Sequence, residues 1–404
     1  MRRLHRLALA TTLLIASPIA AQLEKVGYFP TSFANPTSSG SKNLTVQVHY
    51  PATSTGRNAP LKKITGGWPV VVFLHGYVSR ASNYAPPANF IAARGYVVVI
   101  CDTGNRDTDT EATDGIALYS AVASENASST GFFRNALDPK RVGLTGHSMG
   151  GGNTVRILAN NPGYLAGVPL APWNHKEVYN RDYAKLYAVK VKTPMAIVHG
   201  KGDSIVAWDQ GKRFYDLATN YKQLKTLYAL NNDCDHSNIA GSRLSSATDR
   251  AVFDRVMTVL VGFMDTYVKG DTTGLEQVLG PTARAEPRLS QLFHDIGQTE
   301  LWLTGSTTLG SRFNLQAIAK QGPAALAAGL RAAPVTTVFG PLVLNSAAIV
   351  VINQTPSSAL CLQTTTLQIP NNPVFKGLGV TFQALGSNSA GTLQLTGGVD
   401  AKVQ

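Results

Sequence analysis

Three side chains stand where a serine could be made to attack a carbonyl carbon. Ser148 lies between Gly146 and Gly150 in GLTGHSMGGG, Asp203 ends TPMAIVHGKGD, and His236 sits in NNDCDHSNIAG. A serine hydroxyl is a weak nucleophile at neutral pH, so it needs a base within reach and an acid to orient that base. On a parallel sheet such a set takes the order Ser, acid, His, each on a loop just past a strand. The two glycines remove Cβ atoms where a sharp strand-to-helix turn folds back on itself. Other titratable groups compete for the same roles. His199 closes an apolar run, His175 precedes the acid, His294 falls in the C-terminal part, and His147 beside the serine is expected to point away. Asp233 and Asp235 share the loop of His236.

Acyl transfer also needs two backbone N–H groups aimed at the developing oxyanion. Met149, directly after the serine, is expected to supply one, and Tyr77 in VVVFLHGYVSRASNY the other, with the Tyr77 ring as one wall of the site. No cofactor is implied, and no Cys/His spacing reads as a metal site. DTDTEATD, residues 107 to 114, spaces acids like a calcium loop but lacks the turn glycine and the final Glu, so it reads as a solvated loop.

These residues need a frame, and short apolar runs alternate with helical patterns up to about residue 270. LTVQVHYP, PVVVFLHG, YVVVICD, RVGLTG, LAGVPLAPW, TPMAIVHG and TLYAL read as strands; the stretches between several of them, and RAVFDRVMTVLVGFMDTYV, read as helices. That alternation, with continuous β-branched strands, specifies an α/β fold with a mostly parallel sheet. The last 133 residues carry 12 charged side chains against 48 in the preceding 271. There LWLTGS, TTVFGPLVL, AAIVVINQ, LCLQTTTLQI, GVTFQALG and TLQLTGG read as strands, and only QGPAALAAGLR suggests a helix. The reading is therefore residues 22–270 as a catalytic α/β domain and residues 275–404 as an all-β sandwich module.

Arg2, Arg3 and Arg6, then LALATTLLIA and the small residues of SPIAAQ, form a secretory signal over residues 1–21. The protein is expected outside the cytoplasm after cleavage. Losing those three arginines lowers the formal charge from +12 to +9. The remaining Lys and Arg are scattered without interleaved aromatics, which argues against nucleic acid as a partner. Cys101, Cys234 and Cys361 allow at most one disulfide, and Cys101 in YVVVICD reads as a buried thiol.

VHYPA, FLHGYVSRASNY, ARGYVVVICDT, TGHSMGGG, LAPW, TPMAIVHGKGDSI and DHSNIAG together resemble an α/β-hydrolase. Within that superfamily, residues 24 to 268 resemble the secreted bacterial polyester hydrolases, the cutinase and PET-hydrolase group related to dienelactone hydrolases. The resemblance implies a monomeric serine esterase for polyester, cutin-like or short-chain esters. It places Tyr77 and Met149 at the oxyanion hole, and Tyr77, Trp173 and Ile205 along the substrate cleft. The stretch from Asn174 to Lys192 is longer than in that group, and the group's stapling cysteine pair is not recognisable. HGY and GHSMGG also resemble chlorophyllases and platelet-activating-factor acetylhydrolases, which leaves a lipid esterase on monomeric esters as the alternative. A non-catalytic surface-binding protein is the alternative of another class. The β module is expected to bind a polymer, attach to the cell surface, or stabilise.

Overall fold

The computed structural model describes residues 23–404 except residues 38, 105, 161–162, 177–179, 320–322, 346–348, 354–361 and 389. The secretory signal and Cys361 lie outside the described residues. The strands β1 (Lys25–Ala34), β2 (Asn43–Ala52), β3 (Gly56–Arg57), β4 (Trp68–Leu74), β5 (Val97–Cys101), β6 (Leu137–His147), β7 (Gly167–Leu170), β8 (Met195–Gly200), β9 (Leu224–Leu230) and β10 (Leu289–Ile296) form one sheet. Its order is β10-β9-β8-β7-β6-β4-β5-β2-β1-β3. The strands from β5 through β4, β6, β7 and β8 to β9 pair in parallel, and β2 and β10 pair antiparallel at either side of that block.

Alternate residues of one strand feed two cores, as the two-residue strand period requires. Val71 and Phe73 of β4 join the cluster under α1 (Ala85–Ala92) and the long C-terminal helix Ala247–Met264. Val70, Val72 and Leu74 join the cluster under α2 (Thr108–Ala127), α3 (Met149–Ala159) and the helix Trp208–Leu217. Covering both faces explains why β4 and β5 read as unbroken apolar runs.

Several sequence readings change in three dimensions. Residues 107 to 114 are not a loop: Asp107 caps α2, its carboxylate accepting from the N–H groups of Asp109 and Thr110 at 2.9 and 3.2 Å. Acids in a first helical turn meet the orphan N–H groups and the positive end of the helix dipole. The long connection from Asn174 to Lys192, read as a polar helix, holds among its described residues α4 (Tyr183–Leu186) and a 3-10 turn at Ala188–Lys190. QGPAALAAGLR is not a helix; Pro323–Gly329 is a strand. Alanine prefers helix by only tenths of a kcal/mol per residue, and hydrogen bonding to strands on both sides overrides that. Finally, Leu289–Ile296 lies inside the segment assigned to the β module, yet it pairs with β9 from Leu289↔Leu230 to Ile296↔Leu224. It covers an otherwise open sheet edge.

Beyond β10 the strands are β11 (Glu300–Gly305), β12 (Arg312–Ile318), β13 (Pro323–Gly329), β14 (Arg331–Thr337), β15 (Gly340–Leu344), β16 (Val350–Asn353), β17 (Leu362–Gln368), β18 (Gly379–Ser387), β19 (Leu393–Leu395) and β20 (Val399–Lys402). TTVFGPLVL, read as one strand, is a hairpin in which Thr337 pairs with Gly340. All pairings here are antiparallel. Leu301, Phe313, Leu315 and Ala317 of one sheet share a core with Leu326, Phe382, Ala384 and Ala401 of another, a sandwich-like packing. The two parts of the chain also touch. Ile318 and Leu362 belong to the core under α1, and the Trp302 and Tyr267 rings lie 6.4 Å apart.

Candidate active site

The segment RVGLTGHSMGGG becomes strand, turn and helix: β6 ends at His147 and α3 starts at Met149. Ser148 between them has φ 58° and ψ −114°, a conformation costly for a residue with a Cβ. Its surroundings hold it there. The Ser148 N–H donates to the Leu170 carbonyl at 3.0 Å, and its own carbonyl accepts from Gly152 and Trp173, both at 3.0 Å. A Cβ on Gly146 would run into the Gly150 carbonyl, and one on Gly150 into the Leu74 carbonyl. The glycines are therefore required by close approach across the turn.

Asp203 follows β8 and His236 follows β9, neighbouring parallel strands that end on the same side of the sheet. Their side chains meet, with His236 Nδ1 2.7 Å from Asp203 Oδ2. The other carboxylate oxygen accepts from the N–H groups of Ile205 and Val206 at 2.9 and 2.7 Å. Burial opposes ionisation of Asp203, but the hydrogen bonds from His199, His236 and the backbone outweigh it and hold the carboxyl well below its ordinary value. Asp203 is thus an ionised acceptor, which fixes the proton of His236 on Nδ1 and leaves Nε2 as the basic nitrogen.

The competing groups are placed elsewhere. Asp235 accepts from the N–H groups of Ser237 and Asn238 at 2.9 and 3.0 Å and from Arg243 at 2.5 Å, holding its own loop. Asp233 lies 3.8 Å from Arg288. His199 is buried beside the acid, 2.9 Å from the Val206 carbonyl and 3.5 Å from Asp203. His175 stacks between Trp173 and Tyr183, and His294 belongs to the large sheet rather than to the β module. His147 corrects an expectation. It does not point away: its ring lies 4.5 Å from that of His236. The expectation failed because the turn places the residue before serine beside the 3-10 turn Ala81–Tyr84, where Tyr84 Oη lies 3.1 Å from its Nδ1.

Ser148 and His236 open on a groove of about 610 Å³, walled by Tyr77, Val78, Tyr84, Pro86, His147, Gly241 and Ser242. Met149 is the first residue of α3, so its N–H is among those a helix start leaves without an internal partner. Tyr77 is 45% exposed, and Trp173 packs edge-on against its ring at 6.1 Å. Trp173 and Ile205 are not among the groove-lining residues, and Ile205 is 69% exposed at the surface. The sequence reading gave no role to Val78, Tyr84, Pro86, Gly241 and Ser242, although FLHGYVSRASNY contains the first two and DHSNIAG contains Gly241; they line the groove from the loop after β4, the start of α1 and the loop after His236. Among the described residues no group of three or more His, Cys, Asp or Glu could hold a metal ion.

Comparison with known proteins supplies a family. The PET hydrolase-like family matches residues 16–292, ending within β10. A cutinase of Thermobifida fusca is 30% identical over 218 residues, 52% of this chain and 68% of that protein. The bis(hydroxyethyl) terephthalate hydrolase of Streptomyces coelicolor is 31% identical over 158 residues, and Cutinase 1 of Thermobifida cellulosilytica is 35% identical over 144. In those two the chain spans 44% and 50% of the relative's length. With the family match running through most of the chain, from ahead of β1 into the last strand of the large sheet, this chain belongs to the PET hydrolase-like family.

Proposed function

We propose that this protein is a secreted serine carboxylester hydrolase that works through an acyl-enzyme on polyester, cutin-like or short-chain esters. The observation that carries the reading is the Asp203–His236 pair at 2.7 Å, opening with Ser148 onto one groove. Ser148 Oγ attacks the ester carbonyl while His236 Nε2 takes its proton. Asp203 holds the ring and stabilises the imidazolium that forms. The N–H groups of Tyr77 and Met149 receive the oxyanion. His236 then protonates the leaving alcohol, and water cleaves the acyl-serine by the same route.

An open groove supports long as well as short substrates. None of the described residues between Asn174 and Lys192 lines it; Tyr183, Ala184 and Ala188 are instead buried in the core under α2 and α3. Export rests on the N-terminal signal pattern, and among the described residues no helix is long and apolar enough to cross a membrane. Hydrolysis of p-nitrophenyl butyrate by the mature protein, with and without Ser148→Ala, tests the reading. The expected result is a loss of at least about a thousandfold in kcat with the fold retained. Retention of a tenth of the wild-type rate would remove Ser148 from the mechanism.

A further inference from the structure

We propose that Tyr84 is a positioning residue, bracing the loop that carries Tyr77 against the serine turn and setting the tautomer of His147 beside His236. The proposal rests on the hydrolase reading for its catalytic consequence, but its geometry stands alone. A purely structural aromatic at this site would need no hydroxyl. Tyr84 is 4% exposed and its ring packs on Phe73, centroids 5.0 Å apart, so a buried phenol must find partners or cost stability.

Two of its partners are in the site, beside the Ser79 side chain. The Gly76 N–H donates to Tyr84 Oη at 2.7 Å, and Oη lies 3.1 Å from His147 Nδ1. The direction of the chain follows from donor chemistry. A backbone N–H can only donate, so Oη accepts from Gly76, and with the Ser79 hydroxyl donating to its other lone pair the phenol proton is placed on Nδ1. Burial pushes the phenol up to about 12 and pushes His147 well down, so both are neutral. The proton of His147 is therefore on Nε2. A neutral ring 4.5 Å from His236 also adds no positive charge to oppose the imidazolium formed in catalysis.

The brace acts on Gly76, the most permissive backbone in the loop. The Gly76 carbonyl and the Tyr77 N–H are opposite ends of one planar peptide unit. His75 Nδ1 lies 2.8 Å from that carbonyl, and the His75 carbonyl accepts from the Gly150 N–H at 3.0 Å. The Gly76 carbonyl also accepts from the Ser79 N–H at 3.1 Å, and Tyr84 supplies the hold on the N–H side of Gly76. Its own position is fixed by the 3-10 turn Ala81–Tyr84, tied down where the Ala81 N–H donates to Asp102 at 2.7 Å, and by α1 starting at the next residue. Without the hydroxyl, Gly76 is held from its carbonyl side alone, and the Tyr77 N–H is aimed less tightly.

The test is Tyr84→Phe in the full chain, which keeps the ring and removes one oxygen. The expected outcome is a fall in kcat of about tenfold to a hundredfold on p-nitrophenyl butyrate with KM within about twofold. Affinity for a tetrahedral boronic acid inhibitor should fall in proportion to kcat/KM, while Tyr84→Phe melts within a few degrees of the wild type. Unchanged kcat, or equal losses in kcat, KM and melting temperature, would overturn the proposal. Nitrogen-15 NMR of the wild type adds a readout independent of activity: His147 should be the Nε2–H tautomer and lose that preference in Tyr84→Phe. An Nδ1–H ring in the wild type overturns the brace even if the enzyme is active. Absence of any esterase activity would sink the hydrolase reading, and the tautomer would still decide the brace.

Discussion

Asp203 does more than one job, and that makes its replacement informative. One carboxylate oxygen faces His236, and the other accepts two backbone N–H groups of its own turn. Asp203→Asn keeps the shape, but an amide that satisfies the turn with its oxygen must present NH₂ to His236 and so select the wrong tautomer. Activity on p-nitrophenyl butyrate is expected to fall by about a hundredfold or more with the circular dichroism unchanged. A fully active variant would shift the role to another acid. A second carboxyl at this scale behaves oppositely. Glu111 is fully buried, and burial raises it from 4.5 to about 8 against the hydrogen bond from Asn153. Between those values the folded protein holds a proton that the unfolded chain has released, so stability from this group falls as pH rises through that window. Glu111→Gln should therefore gain melting temperature relative to wild type on going from about pH 5 to about pH 8, measured by thermal melts. A pH-independent difference would show that Glu111 is ionised in the fold.

At the scale of elements, the strand, turn and helix around Ser148 tolerate no added volume. Gly150→Ala places a methyl group on the Leu74 and His75 carbonyl oxygens, which are backbone and cannot swing aside. Overpacking of this kind costs about 1–3 kcal/mol or more, so a fall of at least about 5 °C in melting temperature is expected, with activity lost as the turn opens. A soluble, fully active Gly150→Ala would mean that the turn relaxes more easily than its contacts indicate. Strands β2 and β4 to β9, and α1 and α3, were legible in the sequence because their apolar periods are local properties of the chain. The β13 strand and the start of α2 were not. An alanine-rich segment takes the state its neighbours impose, and acids spaced for a loop serve equally well at a helix N-terminus.

Across the whole molecule, the residues after 270 complete the large sheet. Leu275, Val278, Leu279, Ala283 and Ile296 are fully buried in the core under α1. The Tyr228 hydroxyl donates to the Ala283 carbonyl at 2.9 Å, and Arg255 donates to Tyr228 at 2.9 Å and to Gln277 at 3.0 Å. A chain ending at Gly270 loses these buried residues and the Ala283 and Gln277 partners, and is expected not to fold. One ending at Gly297 keeps β10 and should remain folded and active on soluble esters, at a lower melting temperature because Ile318 and Leu362 no longer cover the core. Expression of both truncations with melting curves checks the pair. An active chain ending at Gly270 would show β10 to be dispensable.

The sequence by itself determined the kind of chemistry and its local frame. Nucleophile, acid and base are specific residue types, their order follows from a parallel sheet, and glycines at a tight turn answer to sterics within a few residues. Tertiary structure alone decided what surrounds them. Tyr84 and His147 are 63 positions apart and meet only because the 3-10 turn Ala81–Tyr84 comes to the end of β6. Trp173 leans on Tyr77 while Ile205 stays exposed, and β10 crosses from the expected module to the edge of the large sheet. Each depends on which distant surfaces find one another, and a buried hydroxyl or an unpaired strand edge leaves no periodicity in its own segment to announce its partner.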